Sequence, residues 1–264
     1  MIEGVVNLRE LGGVRTADGR RVRTGQLYRS GHLGALAGAS GDGPSDAVTA
    51  AFASTGIATV FDLRTVAEVT RSPDHVPPGV QVIHLDVLAD ARESIAAHLQ
   101  EIFADPASAA QVFADGVVDR HYERTYRNLV QLDSARSAYH ELFTTMAKLD
   151  HPVLFHCTAG KDRTGWAAAS LLRLLGVDED TIVEEYLRSN APVLEGFAPY
   201  LQQFADMGGD PAVLEPAFMV QPSYLHAAFQ AVREDHGDIE GYFDRALGVD
   251  ADTRQRLRDR LLEG

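Results

Sequence analysis

The stretch from Val153 to Gly165 reads VLFHCTAGKDRTG and holds residue types suited to nucleophilic chemistry on a phosphoryl group. Cys157 and Arg163 are separated by five residues, with Gly160 among them. Five intervening residues can curl so that successive backbone N–H groups converge on one centre, an anion nest at a helix N-terminus. Gly160 lets the backbone turn and approach an oxyanion without a Cβ in the way. The same positive field lowers a thiol from its free pKa of about 8.5 and favours the thiolate. Arg163 presents a planar fork to two phosphoryl oxygens. Thr164 can donate its hydroxyl to the thiolate when that group departs. His156, Thr158, Ala159, Gly160 and Lys161 are expected to form the substrate-binding part of the loop. Lys161 either meets a phosphate or is solvated, and His156 reads as a hydrogen-bonding residue that stiffens the loop.

Elements must hold this loop in place. Val153-Leu154-Phe155 is a short apolar run that ends at the reactive segment, and Ala58 to Leu63 and Val80 to Leu85 are two more. Runs of this kind, bounded by turn signals, fit buried central strands. The first thirty residues read as a small β-unit with Asp18-Gly19 as a tight turn. Ser134 to Leu149 carries a helical apolar stripe, and Thr164 to Leu175 is apolar nearly all round and stops at Gly176. Asp178 caps a further helix, and Tyr224 to Val232, Ile239 to Leu247 and Thr253 to Leu262 complete a helical C-terminal half. The pattern predicts an α/β fold with a mostly parallel central sheet flanked by helices, in one domain spanning residues 1–264. Ala37 to Ser45 reads as a surface loop. Ser189 to Gln221 is either an ordinary helix pair or a helical lid, and Arg92 to Asn128 is an insert that could shape the entrance.

Composition narrows the classes. Hydrophobic residues make up 45% and charged residues 23% of the 264, the balance of a globular chain. The net charge of −14 repels polyphosphate and argues against nucleic-acid binding and against electrostatic membrane docking. No run is long enough to span a bilayer, and the N-terminus lacks a signal-peptide pattern. Cys157 is the sole cysteine, which excludes an internal disulfide and suits a reducing compartment. A cytoplasmic location is expected, with export lacking a signal peptide left open, as is the oligomeric state. No HExxH spacing occurs and one cysteine cannot build a zinc site, so neither metal nor cofactor is expected.

HCTAGKDRTG resembles the signature loop of the protein-tyrosine-phosphatase superfamily. It is most similar to the bacterial branch of tyrosine and phosphoinositide phosphatases with an Ala-Gly-Lys-Asp-Arg-Thr-Gly loop. Asn7 to Gly13, Leu27 to Ser30, Asp62-Leu63-Arg64 with Glu68, and the segment from Pro222 through Tyr242 to Leu247-Gly248 resemble further elements of that branch. Leu8 and Glu10 depart from the usual Phe and Asp, and the Trp-Pro-Asp loop of eukaryotic members is missing. The resemblance implies a phosphomonoesterase with a cysteinyl-phosphate intermediate, acting on phosphotyrosine, on other phosphorylated proteins or on phosphoinositides. The rival reading is an inactive phosphate-binding module. A general acid is also implied, and two residues compete for it. Asp162 lies inside the loop, where a similar aspartate serves some lipid phosphatases, and is preferred. Asp86 follows the run VQVIHL, roughly where the superfamily brings a separate acid. Arg9, Arg29, Asp62 and Arg64 are expected to form a buried ion-pair network.

Overall fold

The computed structural model describes residues 2, 4–36, 43–91 and 116–264. Most of the surface loop predicted over Ala37 to Ser45, and residues 92–115 of the predicted insert, lie outside that set. The strands among the described residues are β1 (Arg9–Glu10), β2 (Arg21–Val22), β3 (Leu27–Ser30), β4 (Thr59–Asp62), β5 (Gln81–His84), β6 (Val153–His156) and β7 (Leu262–Glu263). The main sheet has the order β1-β3-β6-β4-β5, with β3, β6, β4 and β5 parallel and β1 antiparallel to β3. A mostly parallel sheet is thus the core of an α/β fold. The strand β6 is buried at all four residues, as expected for the middle of a sheet covered on both faces.

Register does the positioning. Ser30, His156 and Asp62 sit side by side at the carboxyl ends of β3, β6 and β4. The segments that follow these strands therefore emerge along one sheet edge, the usual place for a ligand in an open parallel sheet.

Helices cover the sheet: α1 (Asp46–Thr55), α2 (Val66–Arg71), α3 (Val117–Gln131), α4 (Asp133–Met146), α5 (Arg163–Leu174) and α6 (Glu179–Leu187). They continue with α7 (Asn190–Asp206), α8 (Pro211–Phe218), α9 (Pro222–His236), α10 (Ile239–Gly241) and α11 (Ala251–Leu261). The stripe predicted on α4 is buried as expected at Ala135, Ala138, Tyr139, Leu142, Phe143 and Met146. Helix α5 is buried along almost its whole length. Asp178 caps α6 by accepting from Thr181 N–H at 2.8 Å.

Three expectations change. The strand β5 lies at the edge of the sheet, with Val82 40% exposed, because its second face and outer rim have no covering element among the described residues. The N-terminal β-unit is divided: the turn at Asp18-Gly19 forms, but β2 pairs with the C-terminal β7 and β3 joins the main sheet. Residues 117–128 of the predicted insert belong to α3, whose buried face carries Tyr122 and Tyr126.

Trp166 ties α5 to the C-terminal segment: it is fully buried, stacks edge-on with Phe229, and donates its Nε1–H to Tyr242 at 3.2 Å. Trp166→Ala is expected to lower the unfolding free energy by roughly 3–5 kcal/mol in urea titrations followed by circular dichroism.

Candidate active site

Cys157 directly follows β6 and is 2% exposed, and the chain then curls from Thr158 to Asp162 into the first turn of α5. The curl is held from outside through its carbonyls. Thr158 C=O accepts from His32 N–H at 3.0 Å. Asn7 Nδ2 donates to the carbonyls of Ala159 at 3.1 Å and Gly160 at 3.0 Å. Arg29 Nη2 adds a 2.7 Å bond to Gly160 C=O, and Tyr139 donates to Arg163 C=O at 3.0 Å. With the carbonyls turned outward, the N–H groups from Thr158 to Asp162 find no acceptor among the described residues. Gly160 is required at its position. Its φ is +68°, and a Cβ there would lie 2.2 Å from Ser30 C=O.

Arg163 is buried beside this nest. Its Nη1 and Nη2 form a two-pronged pair with Glu68 of α2 at 2.6 and 2.8 Å, which leaves the Nε edge of the guanidinium for another acceptor. Burial alone would lower the Arg163 pKa, but Glu68, the thiol charge of Cys157 and Asp162 outweigh it and hold the guanidinium above its ordinary value. Burial works against the charge of Glu68 as well, yet Arg163 and the Thr158 hydroxyl keep that carboxyl well below the usual range. Glu68 also closes a capping box with Thr65 at the start of α2. The sequence carried Glu68 only as part of a family-like element. The Thr65-x-x-Glu68 capping box was the local signal, and it gave no hint of the pairing with Arg163.

The two aspartates have different surroundings. Asp162 stands at the N-terminus of α5 without capping it. Its Oδ1 accepts from Tyr126 at 3.2 Å, and Lys161 Nζ lies 3.1 Å away. Asp86 instead accepts from Val66 N–H at 3.1 Å and Leu88 N–H at 3.0 Å, tying the segment after β5 to the first turn of α2. Lys161 is not solvated. It is 5% exposed and stands over the Tyr122 ring at 4.1 Å. Burial would lower the Lys161 pKa, but Asp162 and Tyr122 raise it. Thr164 Oγ1 is buried and has no hydrogen-bond partner, so the predicted link to the thiol is not made in this structure.

His156 is fully buried with Nε2 2.9 Å from Asp74, and Asp74 is held low despite burial by His156 and Arg64. Arg64 bridges Asp62 at 2.7 Å and Asp74 at 2.9 Å, so it supplies the cation for the one three-residue acidic and histidine cluster among the described residues. Arg9 and Arg29 meet on Glu185 of α6 at 2.6 and 2.7 Å. The expected ion-pair network exists at Asp62 and Arg64, but Glu185, more than 150 residues from Arg9 and Arg29, and Asp74, ten residues beyond Arg64, join it without a sequence signal.

Two helices cover the loop. In α7 and α8, Val193, Phe204, Leu214 and Phe218 form an apolar cluster that includes Ala159 of the loop. Asn190 at the base of α7 exchanges two hydrogen bonds with Val220 beyond α8, at 3.0 and 2.7 Å.

Glu68→Gln is expected to cost about 2–3 kcal/mol at pH 7, since it leaves a buried guanidinium half-paired. Because the Glu68 pKa is depressed in the folded state, the difference from wild type should be complete above the unfolded value of about 4.3. It should shrink as pH falls through the lower folded value. Urea titrations of both proteins between pH 3 and 7 measure it.

Comparison with known proteins agrees with this geometry. The profile of the tyrosine phosphatase family matches residues 1–263. The triple specificity protein phosphatase PtpB of Mycobacterium tuberculosis is 33% identical over 99% of this chain and 98% of its own. A Cupriavidus necator protein named among the tyrosine-protein phosphatases is 33% identical over 98% of this chain and 87% of its own. A tyrosine-protein phosphatase of Nostoc commune is 30% identical over 82% and 70% respectively. With a family profile over nearly every residue and relatives aligned along almost its full length, the chain belongs to the tyrosine phosphatase family.

Proposed function

We propose that the protein is a phosphomonoester hydrolase that works through a cysteinyl-phosphate intermediate. The observation that carries the proposal is the loop itself. Its carbonyls are taken by His32, Asn7 and Arg29, its N–H groups from Thr158 to Asp162 find no acceptor among the described residues, and Arg163 is held by Glu68 at the end of the same loop. Such an arrangement favours a dianionic phosphoryl group and its more highly charged transition state. Cys157 Sγ attacks phosphorus and the P–O bond to the leaving group breaks. Asp162 gives its proton to that oxygen. Water then attacks the S–P bond, Asp162 takes a proton from it, and inorganic phosphate departs as the thiolate is restored. Asp162 is preferred to Asp86 as the acid because it shares the loop with the nucleophile, whereas both Asp86 oxygens hold backbone N–H groups.

The substrate proposed is phosphotyrosine, with phosphoserine, phosphothreonine and phosphoinositides as further substrates. The name of the Mycobacterium tuberculosis relative, a triple specificity phosphatase, supports a broad range. The helices α7 and α8 are proposed to act as a lid, since their apolar cluster rests on Ala159 and excludes water from the nest.

Hydrolysis of para-nitrophenyl phosphate is expected to vanish in Cys157→Ser and to be unaffected by chelators, and a parallel panel of phosphopeptides and phosphoinositides ranks the substrates. Persistent turnover in Cys157→Ser would overturn the mechanism. A phosphate mimic such as vanadate should slow proteolytic cleavage between residues 189 and 221, and equal cleavage with and without it would refute the lid.

A further inference from the structure

Beneath the loop lies a set of buried hydroxyls that the phosphatase mechanism leaves unassigned. Tyr126 of α3 donates to Asp162 Oδ1 at 3.2 Å, and Tyr186 of α6 donates to the Tyr126 oxygen at 2.5 Å. The two rings meet edge to face, 5.9 Å apart. Both residues are essentially inaccessible. A site that needed only ring volume would be filled by phenylalanine without the cost of burying two hydroxyls. Each phenol carries one hydrogen, so the polarity of the chain is set: Tyr186 to Tyr126 to Asp162.

Tyr126 has one weaker alternative, the Lys161 carbonyl at 3.5 Å, and the carboxylate is the better acceptor. Burial first, and then the charge of Asp162, hold both phenols well above their ordinary pKa, with Tyr186 raising Tyr126 further, so they remain donors across the working range. The carboxyl itself sits at the boundary, with 22% of its side chain exposed. Its charged neighbours are Lys161 and Arg163, and the other phenols facing it are Tyr122 of α3, Tyr139 of α4 and Tyr224 of α9.

We propose that Tyr126, backed by Tyr186, is the positioning residue that anchors Asp162 Oδ1 and thereby aims Oδ2 at the leaving-group oxygen. The proposal rests on Asp162 being the general acid. It accounts for the absence of a helix-capping bond from Asp162, whose carboxylate is held from below by α3 and α6. Lys161 Nζ lies 3.1 Å from both oxygens, whereas the phenol binds Oδ1 alone, so Tyr126 is the donor that distinguishes the two oxygens and sets the orientation a general acid needs.

The test compares kcat/KM, which reports the step in which the leaving group departs, against pH for the full chain on phenyl phosphate, a poor leaving group, and on para-nitrophenyl phosphate, a good one. Asp162→Asn should lose about 10²–10⁴-fold on phenyl phosphate, less on the nitrophenyl ester, and lose the basic limb of the profile. Equal losses on both esters with the limb intact would remove Asp162 as the acid, whatever Tyr126 does. Given the expected Asp162→Asn result, Tyr126→Phe should cost about tenfold on phenyl phosphate and less on the nitrophenyl ester, a part of the full acid contribution. Its basic limb should move to higher pH, because a carboxylate that loses a donor binds its proton more tightly. Tyr186→Phe should shift both readouts the same way by less, and it decides the matter if Tyr126→Phe does not fold. An unmoved limb, or equal losses on the two esters, would overturn the positioning role.

Discussion

The Arg29 guanidinium is the constraint on which the site depends. It is wholly inaccessible, and its two terminal nitrogens reach Glu185 and the Gly160 carbonyl, each at 2.7 Å. A buried cation is tolerated only when paired and hydrogen-bonded, so Arg29 locks whatever it touches. One partner is the loop between Cys157 and Arg163 and the other is α6. Glu185 in turn takes Arg9 from β1, where Arg29 itself, together with burial, lowers the Arg9 pKa to about 10. Two guanidiniums share a single carboxylate, and displacing Glu185 leaves both without a counter-charge in the core. The loop is therefore held in its curl by buried charge that has no other partner to turn to.

A second polar layer secures the other flank. Arg163 is needed at the nest, but a free guanidinium could swing among several acceptors. Glu68 removes that freedom by taking the two terminal nitrogens, and the capping box of α2 removes it from Glu68. The Thr158 hydroxyl joins the same carboxylate, so both ends of the loop meet on one side chain. Arg64 does comparable work one step behind, clamping Asp62 and Asp74 below His156. The loop is thus braced by charge from the N-terminal strand, from α2 and from α6, while α7 and α8 cover it with apolar surface. Ion pairs and hydrogen bonds fix the shape of the loop on one side, and apolar packing covers it on the other.

Much of this was legible in the chain. The apolar run Val153-Leu154-Phe155, the glycine at 160 and the arginine at 163 have meanings that depend on a few neighbouring residues. So do the stripe of α4 and the cap at Asp178. The strand β5 was misjudged because a short apolar run looks the same at the edge of a sheet as at its centre, and only strand order separates them. Leu27 to Ser30 was assigned to a local hairpin for a related reason: pairing with β6, more than a hundred residues away, leaves no local trace.

What the sequence alone determined is a set of residues in a fixed spacing: a lone thiol, an arginine with five residues between them, and a glycine-bearing loop that can turn its N–H groups to an anion. These depend on spacing within ten residues, and spacing is written in the chain. What the tertiary structure decided is who holds that loop and how each carboxylate is employed. Glu68, Glu185, Tyr126 and Tyr186 reach the site from α2, α3 and α6, and Asp86 is turned to backbone N–H groups that only the packing of β5 against β4 brings near. A carboxylate's role follows from the donors around it, and those donors are assembled by contacts between residues far apart in sequence.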